Sequence, residues 1–335
     1  MDLAALPLFV SESLSTTWLG KPVWMWIAFH ILVAVLMAFD LGVLQRRAKD
    51  YGVRESLYLS AFYISLGLAF GVWVGWAISP KAGLEYLTGF VIEKSLSIDN
   101  IFVIAMIFGF FAIPRRQQYR VLFWGILAVI VLRGLMIGIG AALVQNFNWI
   151  LYLFAAFLVI TGVKILWGSD EHYNVEQNRL YRFMQRRFRI TPEPHGDRFF
   201  VRLPDGKTGK LVLWATPLFV VLVMVNIADV IFAVDSVPAI FAITTDTFIV
   251  YTSNIFAILG LRALYFALAA MIDRFAYLKY ALALVLIFIG SKIFLADMLG
   301  LAKIPPALSL GVTFAILGGG IGWSLWKTRR QQHPA

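Results

Sequence analysis

Cysteine is missing from all 335 residues, and charge is scarce, at 14% Asp, Glu, Lys and Arg against roughly 25% in soluble domains. Without cysteine there are no disulfides, thiolate metal sites, iron–sulfur clusters or cysteine nucleophiles. Histidine is nearly as rare, with four residues, of which His172, His195 and His333 fall in loops or the tail. His30 stands alone on an apolar segment and is expected to be packed rather than a ligand. No GxSxG, Walker, HExxH or Rossmann pattern appears, so neither an enzyme activity nor a bound organic cofactor is expected. The N-terminus lacks a basic region before its apolar residues and a small-residue cleavage site, so no removable signal peptide is expected.

What fills the chain instead is apolar: 60% hydrophobic residues and a mean hydropathy of +0.80. A surface this apolar has to face lipid. A bilayer core of about 30 Å takes roughly 20 residues of helix. Nine stretches qualify, near 22–44, 56–79, 83–112, 120–144, 149–167, 211–242, 249–272, 277–298 and 304–326. In lipid each must satisfy its own backbone, so each is read as a helix and the fold as all-α and polytopic, with about nine transmembrane helices. The glycine pairs Gly67/Gly71, Gly71/Gly75, Gly134/Gly138 and Gly318/Gly322 suit close helix packing.

The net charge of +10 is a topology signal rather than a nucleic-acid footprint, because no recognition module accompanies it. If the 168–210 loop is cytoplasmic, 21 of the 29 Lys and Arg fall inside and 3 (Lys21, Lys81 and Lys303) outside, with 5 in the spans. The reading is therefore an external segment 1–21, a membrane domain 22–326, a basic cytoplasmic loop 168–210 within it, and a cytoplasmic tail 327–335, in the cell's inner (plasma) membrane. The basic residues face anionic headgroups.

Two segments recur. Gly125–Met136, with Arg133 in ninth place, matches Asn254–Tyr265, with Arg262 in ninth place, and Phe147–Leu166 aligns without gaps to Phe275–Phe294. Upstream, Glu93 and Asp99 correspond to Asp229 and Asp235, each pair six residues apart. The unit is three spans long, about 83–167 and 211–298. An odd number of crossings inverts the second copy, which is the inverted-repeat plan of secondary transporters, with the site where the repeats meet near the midplane.

Glu93, Asp99, Asp229 and Asp235 sit at lipid depth, where an acid costs about 2.5–3.5 kcal/mol. They must face the interior and be compensated, with Lys94, Arg133 and Arg262, and also Lys164 and Lys292, as the available bases. Six residues of ideal helix separate two side chains by about 120° around and 9 Å along the axis. The acids therefore form two layers, or the helix unwinds near Pro238 in the second copy and near Ser95, Ser97 and Asn100 in the first. Carboxylates, the amides of Asn100 and Asn226, the Ser236 hydroxyl and carbonyls make an all-oxygen set, suited to Mn2+, Mg2+ or Ca2+. Asp40, near the inner end of the first span, is expected at the interface or the exit.

The segments Val91–Val103 (VIEKSLSIDNIFV) and Ile227–Thr244 (IADVIFAVDSVPAIFAIT), followed by Ser253–Tyr265, resemble the TerC family, and within it the Alx-like bacterial manganese exporters. The likeness covers about Trp24 to Trp326. It implies export of Mn2+ from the cytoplasm, with Glu93, Asp99, Asn100, Asp229 and Asp235 as the functional polar residues and Asn226, Ser236, Lys94, Arg133, Arg262 and Asp40 as further ligands or supports. The alternative is a membrane-protein assembly or insertion factor that moves no ion.

With no native cysteine to give background, a single cysteine at Arg187 tests the orientation. A membrane-impermeant maleimide should reach it in inside-out vesicles and not in intact cells; labelling of intact cells would overturn the topology.

Overall fold

The computed structural model describes residues 15–40, 53–147, 149–167, 179–204, 210–268, 278–298 and 305–332. The expected segments 1–21, 168–210 and 327–335 thus lie partly outside the described residues.

The helices are α1 (Val23–Phe39), α2 (Val53–Ala77), α3 (Pro80–Phe110), α4 (Arg115–Asn146), α5 (Ile150–Trp167), the short α6 (Arg179–Arg187), α7 (Pro217–Phe241), α8 (Thr247–Leu259), α9 (Leu261–Leu268), α10 (Leu278–Met298) and α11 (Pro306–Gln332). Their starts are written locally. Ser79 caps α3, its Oγ accepting from Ala82 N at 3.1 Å, with Pro80 at the first position, where a missing N–H costs nothing. Asp246 caps α8 by accepting from Phe248 and Ile249 N.

Five described helices (α2, α4, α5, α7 and α11) are long and apolar enough to cross a membrane; α8 and α9, bent by 41° at Gly260, make a sixth if counted as one span. The outward face of α4 carries Trp124, Leu127, Val131, Leu135 and Ile139, all exposed and spaced as one helical stripe, as lipid contact requires.

One boundary differs from the sequence reading. The sixth span, expected from 211, begins at Pro217, because Leu211–Ala215 forms a strand, β4, paired antiparallel with β3 (Phe200–Pro204). Its LVLWA run alternates exposed and covered residues, the period of a strand rather than a helix. A second, two-stranded hairpin, β1 (Thr17–Trp18) and β2 (Lys21–Pro22), precedes α1.

Two groups of contacts lie at the helix ends. At one end Lys21 bridges Asp246 at 2.8 Å. At the other, Gln117 Nε2 donates to the Gly196 carbonyl at 3.1 Å, Arg120 lies over the Phe199 ring, and the Tyr265 hydroxyl donates to Gln118 Oε1. The basic β3–β4 hairpin therefore shares an end with the start of α4 and with α9.

Three apolar clusters fill the interior of the described residues, and two of them divide most of the buried apolar residues of α3 and α7. On α3 the first takes Ala82, Tyr86 and Phe90, and the second takes Ile101, Ile104, Ile107 and Phe108. On α7 the first takes Ala233, Val237, Ile240 and Phe241, and the second takes Leu218 to Ala228. The polar run of each helix lies where the two clusters meet.

Glycines set the closest approaches. A Cβ on Gly67 or Gly71 would fall 2.5 Å from the Phe90 ring or 2.6 Å from Leu87, and one on Gly83 would meet the Gly75 backbone, so the α2 glycine stripe seats α3. Gly138, Gly318 and Gly322 have nothing within 4 Å among the described residues, whereas a Cβ on Gly134 would lie 3.4 Å from the Tyr251 ring. The broadest helix contact joins α5 and α10, and it is reciprocal. A Cβ on Gly162 would meet the Ala283 carbonyl and Ile287, each at 2.7 Å. One on Gly290 would meet the Ala155 carbonyl at 2.5 Å and Val159 at 2.8 Å. In the gapless alignment Gly162, Ala155 and Val159 correspond to Gly290, Ala283 and Ile287, so the pairing is that of a two-fold contact.

Gly162→Ala and Gly290→Ala push a methyl group into backbone. Each should lower the melting temperature of the detergent-purified protein by the equivalent of about 1–3 kcal/mol, as overpacking does. Gly138→Ala should leave it unchanged in the same thermal-shift measurement.

Candidate functional site

An acid at lipid depth needs a partner within the bundle, and Glu93 on α3 and Asp229 on α7 share one. Arg133, on α4 and 1% exposed, sends Nε and Nη2 to the two oxygens of Asp229, both at 3.0 Å. This is the bidentate fork that a guanidinium makes with a carboxylate. Its Nη1 donates to Glu93 Oε1 and reaches Ser236 Oγ and Asn254 Oδ1, each at 3.0 Å. The other Glu93 oxygen accepts from Asn254 Nδ2 at 3.1 Å, and Asn100 Nδ2 lies 3.5 Å from Asp229 Oδ1. Helices α3, α4, α7 and α8 each contribute, and every one of these side chains is buried.

The pairings also fix how α3 and α7 run. Gly89 faces Ile240, Glu93 shares the Arg133 Nη1 with Ser236, and Asn100 reaches Asp229. Numbers rise along one helix as they fall along the other, so the two are antiparallel. Both stay helical through their acids, Pro238 included. The acids are thus layered along regular helix, and the chain does not unwind between them.

Asp235 stands apart from the arginine cluster. It lies about level with Glu93 and Lys94, and the backbone of Asp99 about level with Val230, which leaves roughly 7 Å between them along the axis. The Asp99 side chain lies outside the described residues. Turned away from Asp229 as six residues of helix require, Asp235 takes its one hydrogen bond among the described residues from the Thr161 hydroxyl of α5, at 3.4 Å. Lys164, one turn further along α5, is close enough for its charge to act on it. Asn226, one turn before Asp229, donates to its own helix at Leu222 O (2.7 Å), and its Oδ1 is buried with no partner among the described residues.

The remaining candidates are placed elsewhere. Lys94 Nζ donates to the Ala257 carbonyl at 2.9 Å, and Lys292 Nζ donates to Ser309 Oγ. Arg262 pairs with Asp40 and lies over the Tyr119 ring at 3.9 Å. Asp40, at the C-terminal end of α1, is 2% exposed and buried beside that arginine. His30, expected to be packed, is instead an exposed residue of α1, its ring nitrogens 2.7 Å from the Trp26 carbonyl and 3.1 Å from the Tyr251 hydroxyl. Among the described residues no three His, Asp or Glu side chains converge as a metal-ligand group. In this state two of the acids are held by arginine.

Two contributors escaped the sequence reading, Asn254 and Thr161. Asn254 opens the second copy of the arginine motif, where the first copy has Gly125. A fully buried amide at lipid depth carries the same signal as a buried acid.

The model of the integral membrane protein TerC family matches residues 78–332. A Myxococcus xanthus protein named uncharacterized membrane protein STKORF319 is 46% identical over 91% of this chain and 93% of its own length. A Rickettsia bellii membrane protein is 45% identical over 88% and 95%. The Escherichia coli K12 protein Alx, named as a candidate membrane-bound redox modulator, is 45% identical over 89% and 92%. No solved structure matches the chain.

Arg133→Gln leaves two buried carboxylates without their counter-charge, a loss of about 3–5 kcal/mol. It should collapse the monodisperse peak of detergent extracts on size exclusion. Arg133→Lys should not rescue it, since a point charge cannot span both acids. Asn254→Leu should cost less, about 1–3 kcal/mol, for one unpaired carboxylate oxygen.

Proposed function

The chain belongs to the integral membrane protein TerC family, and on that footing we propose that it is a secondary transporter exporting Mn2+ from the cytoplasm. The reading includes nine spans, an external N-terminus, and inverted repeats that meet at the carboxylate layer.

The observation that carries it is the layer of buried carboxylates where antiparallel α3 and α7 cross between two apolar clusters. A purely structural bridge would need one acid for Arg133. Here two acids sit on it, Lys94 stands beside Glu93, and Asp235 remains with a hydroxyl and a more distant lysine. That arrangement supports a division of labour. Arg133 fixes Glu93 and Asp229 as the frame, and Asp99 and Asp235 are the carboxylates that take the ion. The amide oxygen of Asn226, buried and unpaired among the described residues, suits a hard cation. The reciprocal packing of α5 on α10 supports the inverted repeat, and rocking one repeat against the other would open the site to each side in turn.

Alx carries a name that speaks of redox modulation. With no cysteine in its 335 residues, this chain has no thiol–disulfide couple, so a redox effect would run through the metal it moves. The transported ion is substrate, and it meets carboxylates that must be deprotonated to hold it. Protons therefore compete with Mn2+, and proton entry from outside would drive release.

Purified protein in sealed liposomes should exchange Mn2+ in preference to Ca2+ and Mg2+, with apparent affinity falling as pH falls. Asp99→Asn and Asp235→Asn keep size while removing charge, and each should cut Mn2+ flux at least tenfold in protein that inserts normally. Wild-type flux in both variants would sink the site. No flux of any divalent ion from active-looking, monodisperse wild type would favour the assembly-factor alternative.

A further inference from the structure

Arg133 and Arg262 hold the same place in the two copies of the motif but do different things. Arg133 lies mid-way along the unbroken α4 and grips both central acids. Arg262 lies two residues past the break at Gly260, where the chain bends by 41°, and is carried onto Asp40 and the Tyr119 ring. The counterpart of Gly260 in the first copy is Val131, inside continuous helix. Two equivalent arms therefore exist in one molecule in two conformations, one straight and engaged, one bent and withdrawn.

The bend has its own fastening. In a continuous helix the Ala257 carbonyl would accept from Leu261 N, four residues on. Here it accepts from Lys94 Nζ, the neighbour of Glu93, at 2.9 Å. Space for the lysine depends on the glycine: a Cβ at Gly260 would lie 2.9 Å from Lys94 Nζ and 2.9 Å from Tyr63. On the withdrawn arm, Arg262 Nη1 is buried without a hydrogen-bond partner among the described residues. The arm is therefore less fully satisfied than Arg133, which places hydrogen bonds from Nε, Nη1 and Nη2.

We propose that Arg262 is a second positioning residue of the carboxylate site, alternately engaged with Arg133 and held off the site in this state by Asp40. When α8 and α9 straighten, Leu261 N takes back the Ala257 carbonyl, Lys94 is released toward Glu93, and Arg262 leaves Asp40 to grip the acids from the second repeat's side. Arg133 then lets go, so one guanidinium compensates the buried pair in each state and neither state strands it. The idea rests on the transporter reading for its purpose, and the exchange itself can be measured without metal. Asp40, on a helix outside both repeats, is what breaks their equivalence.

Spin labels on cysteines replacing Phe39, exposed on α1, and Leu264, partly exposed on α9, report the separation of the two arms in the full chain in liposomes. Wild type should show a main distance and a minor longer one, and Asp40→Asn should raise the minor population at least threefold. A single distance, unchanged by Asp40→Asn, would overturn the proposal whatever the protein transports. Because Asp40→Asn strands a buried arginine and so puts folding at risk, Asp40→Asn with Arg262→Gln, which removes both charges, is the second variant. It should exchange Mn2+ at least tenfold more slowly than wild type, whereas wild-type exchange would mean that Arg262 only balances Asp40. A wild type that moves no Mn2+ yet shows the shifted distances would fail the transport reading and leave the arm exchange standing.

Discussion

Charge buried at lipid depth is the constraint on which the rest of this structure depends. Glu93 and Asp229 come from different helices far apart in sequence, and neither can be hydrated where it sits. One guanidinium, with donors on three nitrogens in a plane, can serve both. Meeting that demand fixes α4 against α7, brings α3 alongside in antiparallel register, and draws Asn254 of α8 in to occupy the last carboxylate oxygen. The apolar clusters above and below then close the layer from water, which raises the stakes of every bond within it.

The two repeats share a plan without being equal. Where α5 meets α10 the symmetry is close, with each glycine seated on the partner's alanine carbonyl and β-branched side chain. At the arginines it fails. The first repeat's helix runs straight through Val131, while the second breaks at Gly260 and sends its arginine to Asp40. Under the proposed function, halves in unlike conformations are what alternating access requires, because equal halves would leave the site equally open or closed to both sides. The difference between Val131 and Gly260, a β-branched residue against the residue that best tolerates a break, is the local chemistry that lets one arm bend.

Much of this was legible from residue order. Hydropathy located segments that the structure forms as helices. The duplicated acids and arginines singled out side chains of which Glu93, Asp229 and Arg133 come together in the structure. The strand at Leu211–Ala215 was missed because five apolar residues next to a long apolar run read as more helix. Its alternation becomes decisive only with Phe200–Pro204 beside it.

The sequence by itself determined that this chain lives in lipid, that it carries acids no lipid-facing surface would tolerate, and that both acids and arginines occur twice. Those are statements about composition and periodicity, which a linear chain holds completely. Only the tertiary structure decided who pairs with whom. Arg133 took both central acids, Arg262 took Asp40, Lys94 took a backbone carbonyl at a helix break, and Asp235 was left to Thr161. The reason is that partner choice is set by distance and angle among helices far apart in sequence. A guanidinium bonds whichever carboxylate its helix's position and bend bring within about 3 Å, and neither position nor bend is written at the arginine itself.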